Sequence, residues 1–376
     1  MRVSTTDNNA KTIDSVIIQQ LDILEKFLAN NTEADIKESA NYILNRAMLN
    51  IGKLKKTNDT EMTARFKEIS NMMLRFMEIP PPPHTPPLVT ATEKKDKIAE
   101  YILPHAKKHK EALKNFQFCI HVTEHCNLKC KGCGHFSNIT KPKHVDIKIF
   151  ERDFKRLSEL TNKKCTAIDI LGGEPLLNPE IKDLLVIARK YFDNTDIIIA
   201  TNGLLIANQP QDFWECLKKN NIAFRITKYP VNINIEKIRK LCSEYNVKLK
   251  ERDMGTWNKP SYDFTGSNNP FEAYEYCDTN GYCNILEDGK MAQCPLVFNS
   301  KHFNDYFNDK KYRFAEPSEY DYVDIFEAKT LGEILLRLRQ PIPMCKYCTK
   351  KQGVKVVEWG KSNMQIDEWL WEKIGG

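Results

Sequence analysis

Apolar residues recur every three or four positions in three stretches near the start of the chain. Ile13, Ile17, Leu21, Leu24 and Leu28 make one stripe. Ile36, Ala40, Ile43, Ala47 and Ile51 make a second, behind Thr32 and Asp35 in capping-box spacing. Met62, Phe66, Ile69, Met73 and Phe76 make a third. Each stripe lies along one face of a helix, and that face must be buried. Short links predict an antiparallel helical bundle over residues 1–79. It either packs against the rest of the chain or recognises a partner or substrate. Pro80 to Pro83, then Pro86 and Pro87, end the pattern. Such a run favours extended polyproline II, a stiff spacer over 80–91. A lysine-rich helix follows, to about residue 114.

The period then changes. Strands are predicted at Phe116 to Val122, Thr166 to Leu171, Asp196 to Ala200 and Ile222 to Thr227, with a fifth at Val247 to Lys250. Helices are predicted between them at Ile147 to Leu160, Glu180 to Tyr191, Asp212 to Lys219 and Ile235 to Tyr245. Strands alternating with helices mean parallel pairing with right-handed crossovers. A closed eight-fold barrel takes about 250 residues. The fold class is therefore α/β, with a partial, open (β/α) barrel of five or six parallel strands over 92–275. A small hairpin-plus-helix region follows over 276–350, then a helical tail over 351–376 with three tryptophans between Val354 and Trp371.

Composition narrows the class. A chain of 376 residues that is 41% hydrophobic supports one large domain with appendages. The net charge of +6 is spread along the chain, so nucleic acid is not the expected partner. No apolar run is long enough to span a bilayer, and the first residues lack the apolar stretch of a signal peptide. A cytoplasmic location is expected. In that reducing compartment twelve cysteines read as metal or cluster ligands rather than disulfides.

Cys126, Cys130 and Cys133 stand in a C-x3-C-x2-C run. Thiolates this close can hold three corners of a cube of iron and sulfide, leaving the fourth iron open to chelation. With His135 they could instead form a zinc site. Position matters here. The cysteine loop follows the first strand, Gly172-Gly173-Glu174-Pro175 follows the second, and Thr201-Asn202-Gly203 follows the third. In a parallel sheet all three loops emerge at the carboxyl edge, where active sites of such folds lie.

Over residues 116–230 these motifs resemble the radical S-adenosylmethionine (SAM) superfamily. The resemblance implies that Cys126, Cys130 and Cys133 ligate a [4Fe-4S] cluster whose open iron is chelated by SAM. It implies that Gly172 and Gly173 let the backbone approach the methionine moiety, and that Glu174 helps bind its ammonium. Thr201 and Asn202 would meet the ribose or carboxylate, and Arg225 the carboxylate. The position before the third cysteine, aromatic in many members, is Gly132 here, with Phe136 the candidate substitute near adenine.

Cys277, Cys294, Cys345 and Cys348 form a second set. Cys283 to Glu287 reads as a strand, Asp288-Gly289 as a tight turn and Lys290 to Gln293 as the return; a helix is expected near Leu331 to Leu338. Four thiolates also suit tetrahedral zinc. The C-x11-G-x4-C stretch with its later C-x2-C resembles the shortened SPASM region called twitch. That resemblance implies one fully ligated auxiliary [4Fe-4S] cluster. Cys283 is left over, as a core residue or a hydrogen-atom donor. Cys119, Cys165, Cys216 and Cys242 read as core.

The expected function is oxidation of a carbohydrate or cyclitol-like substrate, as the four-cysteine twitch pattern looks most like that of an aminocyclitol dehydrogenase. Peptide maturation and epimerisation are alternatives within the superfamily, so the substrate is a small molecule or a peptide. A flavodoxin or ferredoxin is the expected electron donor. A zinc-stapled protein-binding module is the alternative of another class.

Overall fold

The computed structural model describes residues 115–277, 284–339, 341–349 and 355–371. All lie in one compact unit, Ala112–Gly376. The expected N-terminal bundle, the proline linker, the lysine-rich helix and Cys283 lie outside the described residues.

The βα alternation holds in the order the hydrophobic pattern predicts: β1 (Gln117–Thr123), α1 (Ile147–Thr161), β2 (Ala167–Gly172), α2 (Ile181–Tyr191), β3 (Asp196–Thr201), α3 (Gln211–Lys219), β4 (Ile222–Lys228), α4 (Ile235–Glu244) and β5 (Leu249–Asp253). After β6 (Thr256–Lys259) and α5 (Pro270–Glu275) comes a hairpin, β7 (Ile285–Glu287) and β8 (Lys290–Ala292). Then follow α6 (Leu296–Phe307), β9 (Val323–Asp324), α7 (Leu331–Leu338) and β10 (Lys355–Glu358).

Eight strands form one open sheet in the order β5-β4-β3-β2-β1-β7-β8-β9. The pairs from β5 through β1 to β7 are all parallel, which makes six parallel strands. Strands β8 and β9 extend the edge in antiparallel sense. The partial barrel thus has the upper of the two expected strand numbers, and the hairpin supplies its sixth parallel strand.

Period-two alternation sorts the two faces. Ile168 and Ile170 of β2, Ile197 and Ile199 of β3, and Phe224 and Ile226 of β4 share a core with Phe150, Phe154 and Leu157 of α1 and Leu184 and Leu185 of α2. Asp146 starts α1 by accepting from the Lys148 and Ile149 amides at 2.8 and 3.2 Å. Asn162, at φ 50°, ends it in the left-handed conformation. The opposite face carries a second core. There Cys119 of β1 and Ile285 of β7 cluster with Leu296, Val297 and Phe303 of α6 and with Phe136, Phe314 and Trp369.

The tail is a correction. The expected helix over 351–376 is, in its described part, strand β10 followed by an irregular segment and one short turn at Ile366–Glu368. Strand β10 pairs antiparallel with β6. Adjacent β-branched Val356 and Val357 favour a strand, and Gly360, Ser362 and Asn363 favour turns, so tryptophan spacing misleads here.

Two predictions follow from this framework. Asp288 and Gly289 both have positive φ, at 43° and 72°, as a two-residue hairpin turn requires. A methyl group on Gly289 would stand 2.9 Å from the half-exposed Phe326 ring, which can move, so the cost of Gly289→Ala is mainly conformational. Urea unfolding should show about 1–2 kcal/mol lost.

His121 lies buried on the inner face of β1; burial first, then neighbouring His135, hold its pKa down to about 3. In the unfolded chain imidazole titrates near 6.5. Between these values the unfolded chain binds a proton that the native state does not. Stability from this group is therefore complete above about pH 6.5 and is lost as pH falls toward 3. The wild type should lose about 2 kcal/mol more than His121→Asn between about pH 6.5 and 5. Parallel stability profiles for the two proteins would contradict this.

Candidate active site

The cysteine loop leaves β1 at the carboxyl edge of the sheet. Within it the Leu128 amide donates to Cys126 Sγ at 3.3 Å, and the Trp359 indole nitrogen donates to Cys130 Sγ at 3.1 Å. Cys133 sits among the amides of His135, Phe136 and Ser137 and the Ser137 hydroxyl. Burial pushes Cys126 up to about 12 and Cys130 up to about 11, and Cys133 also upward. The charges of Glu174, Cys133 and Cys130 add to the shift at Cys126, so the trio lies within mutual electrostatic reach. Ligation by iron would displace the thiol protons. Three thiols at a strand edge, ringed by N–H donors, suit an iron–sulfur cluster with three protein ligands.

The glycine turn is packed against this loop backbone to backbone. A Cβ on Gly172 would stand 2.1 Å from the Thr123 carbonyl oxygen, and one on Gly173 would stand 2.1 Å from the His125 carbonyl oxygen. The Gly173 and Glu174 amides donate to those same carbonyls at 2.7 and 3.1 Å. The close approach that these glycines permit is thus to the cysteine loop itself.

Glu174 is fully buried and joins the third motif. Its Oε1 accepts from Thr201 Oγ1 at 2.7 Å and the Leu176 amide at 3.1 Å, and its Oε2 accepts from the Asn202 amide at 2.9 Å. Burial raises its pKa to about 6, against these hydrogen bonds. The Asn202 side-chain amide reaches back to Asn127 Oδ1 at 2.8 Å and lies 3.7 Å from Cys126 Sγ. All three motifs are joined at one edge.

Other sequence-derived candidates fare differently. Arg225 makes a two-pronged ion pair with Asp169 of β2, at 3.0 and 2.8 Å, and both side chains stay partly exposed. Phe136 does not take the expected place near an adenine. It is fully buried, with its ring 5.4 Å from Phe303 and 5.7 Å from Trp369. Gly132 has φ 61° and donates its amide to Glu368 Oε2 at 2.8 Å. His135, the imidazole of the zinc alternative, packs 4.7 Å from His121, and its Nδ1 lies 3.4 Å from the Gly172 carbonyl. Among the described residues no three His, Cys, Asp or Glu side chains converge to hold a single metal ion. A cubane spaces its ligands wider than one ion does.

The second cysteine set lies within mutual electrostatic reach. Cys345 is half-buried, and burial followed by the charges of Cys294, Cys348 and Cys277 raises its pKa. Tyr262 stands between the two sets, within electrostatic reach of Cys294, Cys348 and Cys133, and burial above all raises its pKa. Cys119, Cys165 and Cys242 are buried as expected, and Cys216 is half-buried.

Sequence reasoning missed three residues at this edge. Tyr229 follows β4, and burial followed by the charges of Cys130, Cys133 and Cys126 raises its pKa. Extending the strand-end logic to the fourth strand would have found it. Trp359 and Glu368 lie more than 220 positions downstream of Cys130 and Gly132, which they approach, and no local pattern marks them.

Residues 120–247 match the family model described as the Radical SAM superfamily. The chain is 30% identical over 120 residues to a GTP 3',8-cyclase of Clostridium botulinum (strain Okra / Type B1), covering 32% of this chain and 34% of that protein. It is 33% identical over 115 residues to a GTP 3',8-cyclase of Clostridium acetobutylicum, covering 29% and 34%. The chain thus spans about a third of the length of the curated relatives it matches. Among solved structures, BtrN in complex with AdoMet and 2-DOIA aligns with TM-score 0.42 and 16% identity over 63% of this chain and 93% of that one. The structure of anSMEcpe with bound AdoMet aligns with TM-score 0.38 and 16% identity over 62% and 89%. With its three strand-end motifs inside or beside the matched stretch, the chain carries a radical SAM domain over residues 120–247.

Proposed function

We propose that this chain is a radical SAM oxidoreductase that dehydrogenates a carbohydrate or cyclitol-like substrate. One observation carries the cofactor part of this reading: the cysteine trio, the Gly172-Gly173-Glu174 turn and the Thr201-Asn202 turn are hydrogen-bonded into one unit at the strand edge. Cys126, Cys130 and Cys133 would hold a [4Fe-4S] cluster to which SAM would bind. When bound, this pair supplies a 5′-deoxyadenosyl radical able to remove hydrogen from carbon.

The chain's own groups prepare the site. Glu174 offers a buried carboxylate to the SAM ammonium, and a cation beside it favours the ionised form that burial opposes. Thr201 and Asn202 hold that carboxylate in place. Arg225 is already forked on Asp169, so a SAM carboxylate reaching it shares its donors. Cys277, Cys294, Cys345 and Cys348 hold an auxiliary [4Fe-4S] cluster. With four protein ligands such a cluster would serve electron transfer rather than substrate binding. The net reaction would remove a hydrogen atom from a carbon bearing a hydroxyl or an amine and a proton from that hydroxyl or amine, and pass one electron to the auxiliary cluster, giving a ketone or an imine. A flavodoxin or ferredoxin delivers the priming electron.

The cyclase relatives point to a second reading, a nucleotide substrate. Their similarity covers about a third of their length.

Anaerobic reconstitution should give about eight irons per chain with broad visible absorption. A colourless protein holding zinc would contradict the reading. Cys130→Ala is expected to abolish deoxyadenosine formation. Cys348→Ala should retain part of the uncoupled SAM cleavage but lose turnover of a panel of aminocyclitols and sugars. Full turnover in both variants would overturn the assigned roles. In deuterated solvent, products lighter by two hydrogens support oxidation, whereas incorporation of one deuterium supports epimerisation.

A further inference from the structure

The segment that follows β10 does not hang free of the sheet; it straps the cysteine loop on both sides of Cys130. The Ser362 amide donates to the Lys129 carbonyl at 3.0 Å, and the Lys131 amide donates to the Gly360 carbonyl at 2.8 Å. The Trp369 indole donates to the Cys133 carbonyl at 2.9 Å. Glu368 is fully buried and pins the strap from within. Its carboxylate accepts from the Gly132 amide at 2.8 Å, the Asn363 amide at 2.6 Å and the Ser362 hydroxyl at 2.8 Å. These contacts fix the Trp359 indole with its N–H on Cys130 Sγ, 229 positions away in sequence, and the Tyr229 ring lies 6.1 Å from it.

We propose that Trp359 is a positioning residue of the cluster site: its N–H···S hydrogen bond to Cys130 sets the reduction potential of the cluster held by the trio. This rests on the reading that the trio holds such a cluster. An electron added to an iron–sulfur cluster spreads onto its sulfur ligands, and a donor aimed at one of them stabilises the reduced state more than the oxidised state. Hydrogen bonds to sulfur therefore raise the potential. Indole suits the task because it is a donor only, brings no charge and has no acceptor to satisfy. The sulfur it serves is one that ligates, so the strap couples the end of the chain to the ease of priming.

Wild type and Trp359→Phe are reconstituted anaerobically, their iron is counted, and the SAM-responsive cluster signal is followed through an EPR-monitored redox titration. The expected result is unchanged iron with the reduction equilibrium moved roughly tenfold toward the oxidised form, about 59 mV more negative. Full iron with an unchanged potential would overturn the proposal. A second readout needs no variant. Wild type labelled with 15N at its indole nitrogens should show a 15N coupling to the reduced cluster in pulsed EPR, and no such coupling would equally overturn it. Failure of the underlying reading shows itself separately, as wild-type protein that assembles no cluster on the trio.

Discussion

Everything at the strand edge depends on two glycines pressed against another loop's backbone. Gly172 and Gly173 leave room for the Thr123 and His125 carbonyls where any side chain would meet them at 2.1 Å. Real atoms do not approach so closely, so a methyl group at either position would force the loops apart. The cysteine loop is thereby locked to the end of β2, and Glu174, next in the chain, locks the end of β3 to both through Thr201 and Asn202. Sheet geometry, fixed by parallel hydrogen bonding among β1, β2 and β3, is transmitted to the sulfur atoms in this way. A chelating cofactor needs such rigidity because its anchor points come from different loops.

Much of this was legible beforehand. Strand and helix order followed from hydrophobic period, because each βα element buries one face and the alternation is local. The hairpin followed from Asp288-Gly289, since few residue pairs accept two positive φ angles. The convergence of three motifs followed from topology, because every parallel strand ends on the same side. What was illegible was non-local. Nothing in the sequence around Trp359 or Glu368 says that they meet Cys130 and Gly132, and tryptophan spacing suggested a helix where a strap is found. The contact that Gly172 and Gly173 make in the structure, with the neighbouring loop, is likewise not spelled out by the sequence. Phe136 is the nearby aromatic candidate where the family position is Gly132, but it is buried among aromatic rings instead.

The second core gives the two cysteine sets a common support. Phe136, next to the first set, and Tyr347, between Cys345 and Cys348, belong to one aromatic cluster with Phe303, Phe314 and Trp369. Tyr262 lies at its rim, within electrostatic reach of cysteines of both sets. Close-packed rings of this kind yield little to strain, so the distance between the sets is fixed by packing rather than by loops. The tail contributes Trp369 to that core and Trp359 to the first site. It therefore belongs to the functional unit in both places.

We propose that the first trio seats a cluster with an iron free to bind SAM. EPR decides this on a variant whose auxiliary set is removed, Cys345→Ala with Cys348→Ala, reduced with dithionite before and after SAM is added. About four irons per chain and a cluster spectrum that changes shape when SAM binds are expected. A protein that keeps its iron but whose spectrum ignores SAM would contradict it.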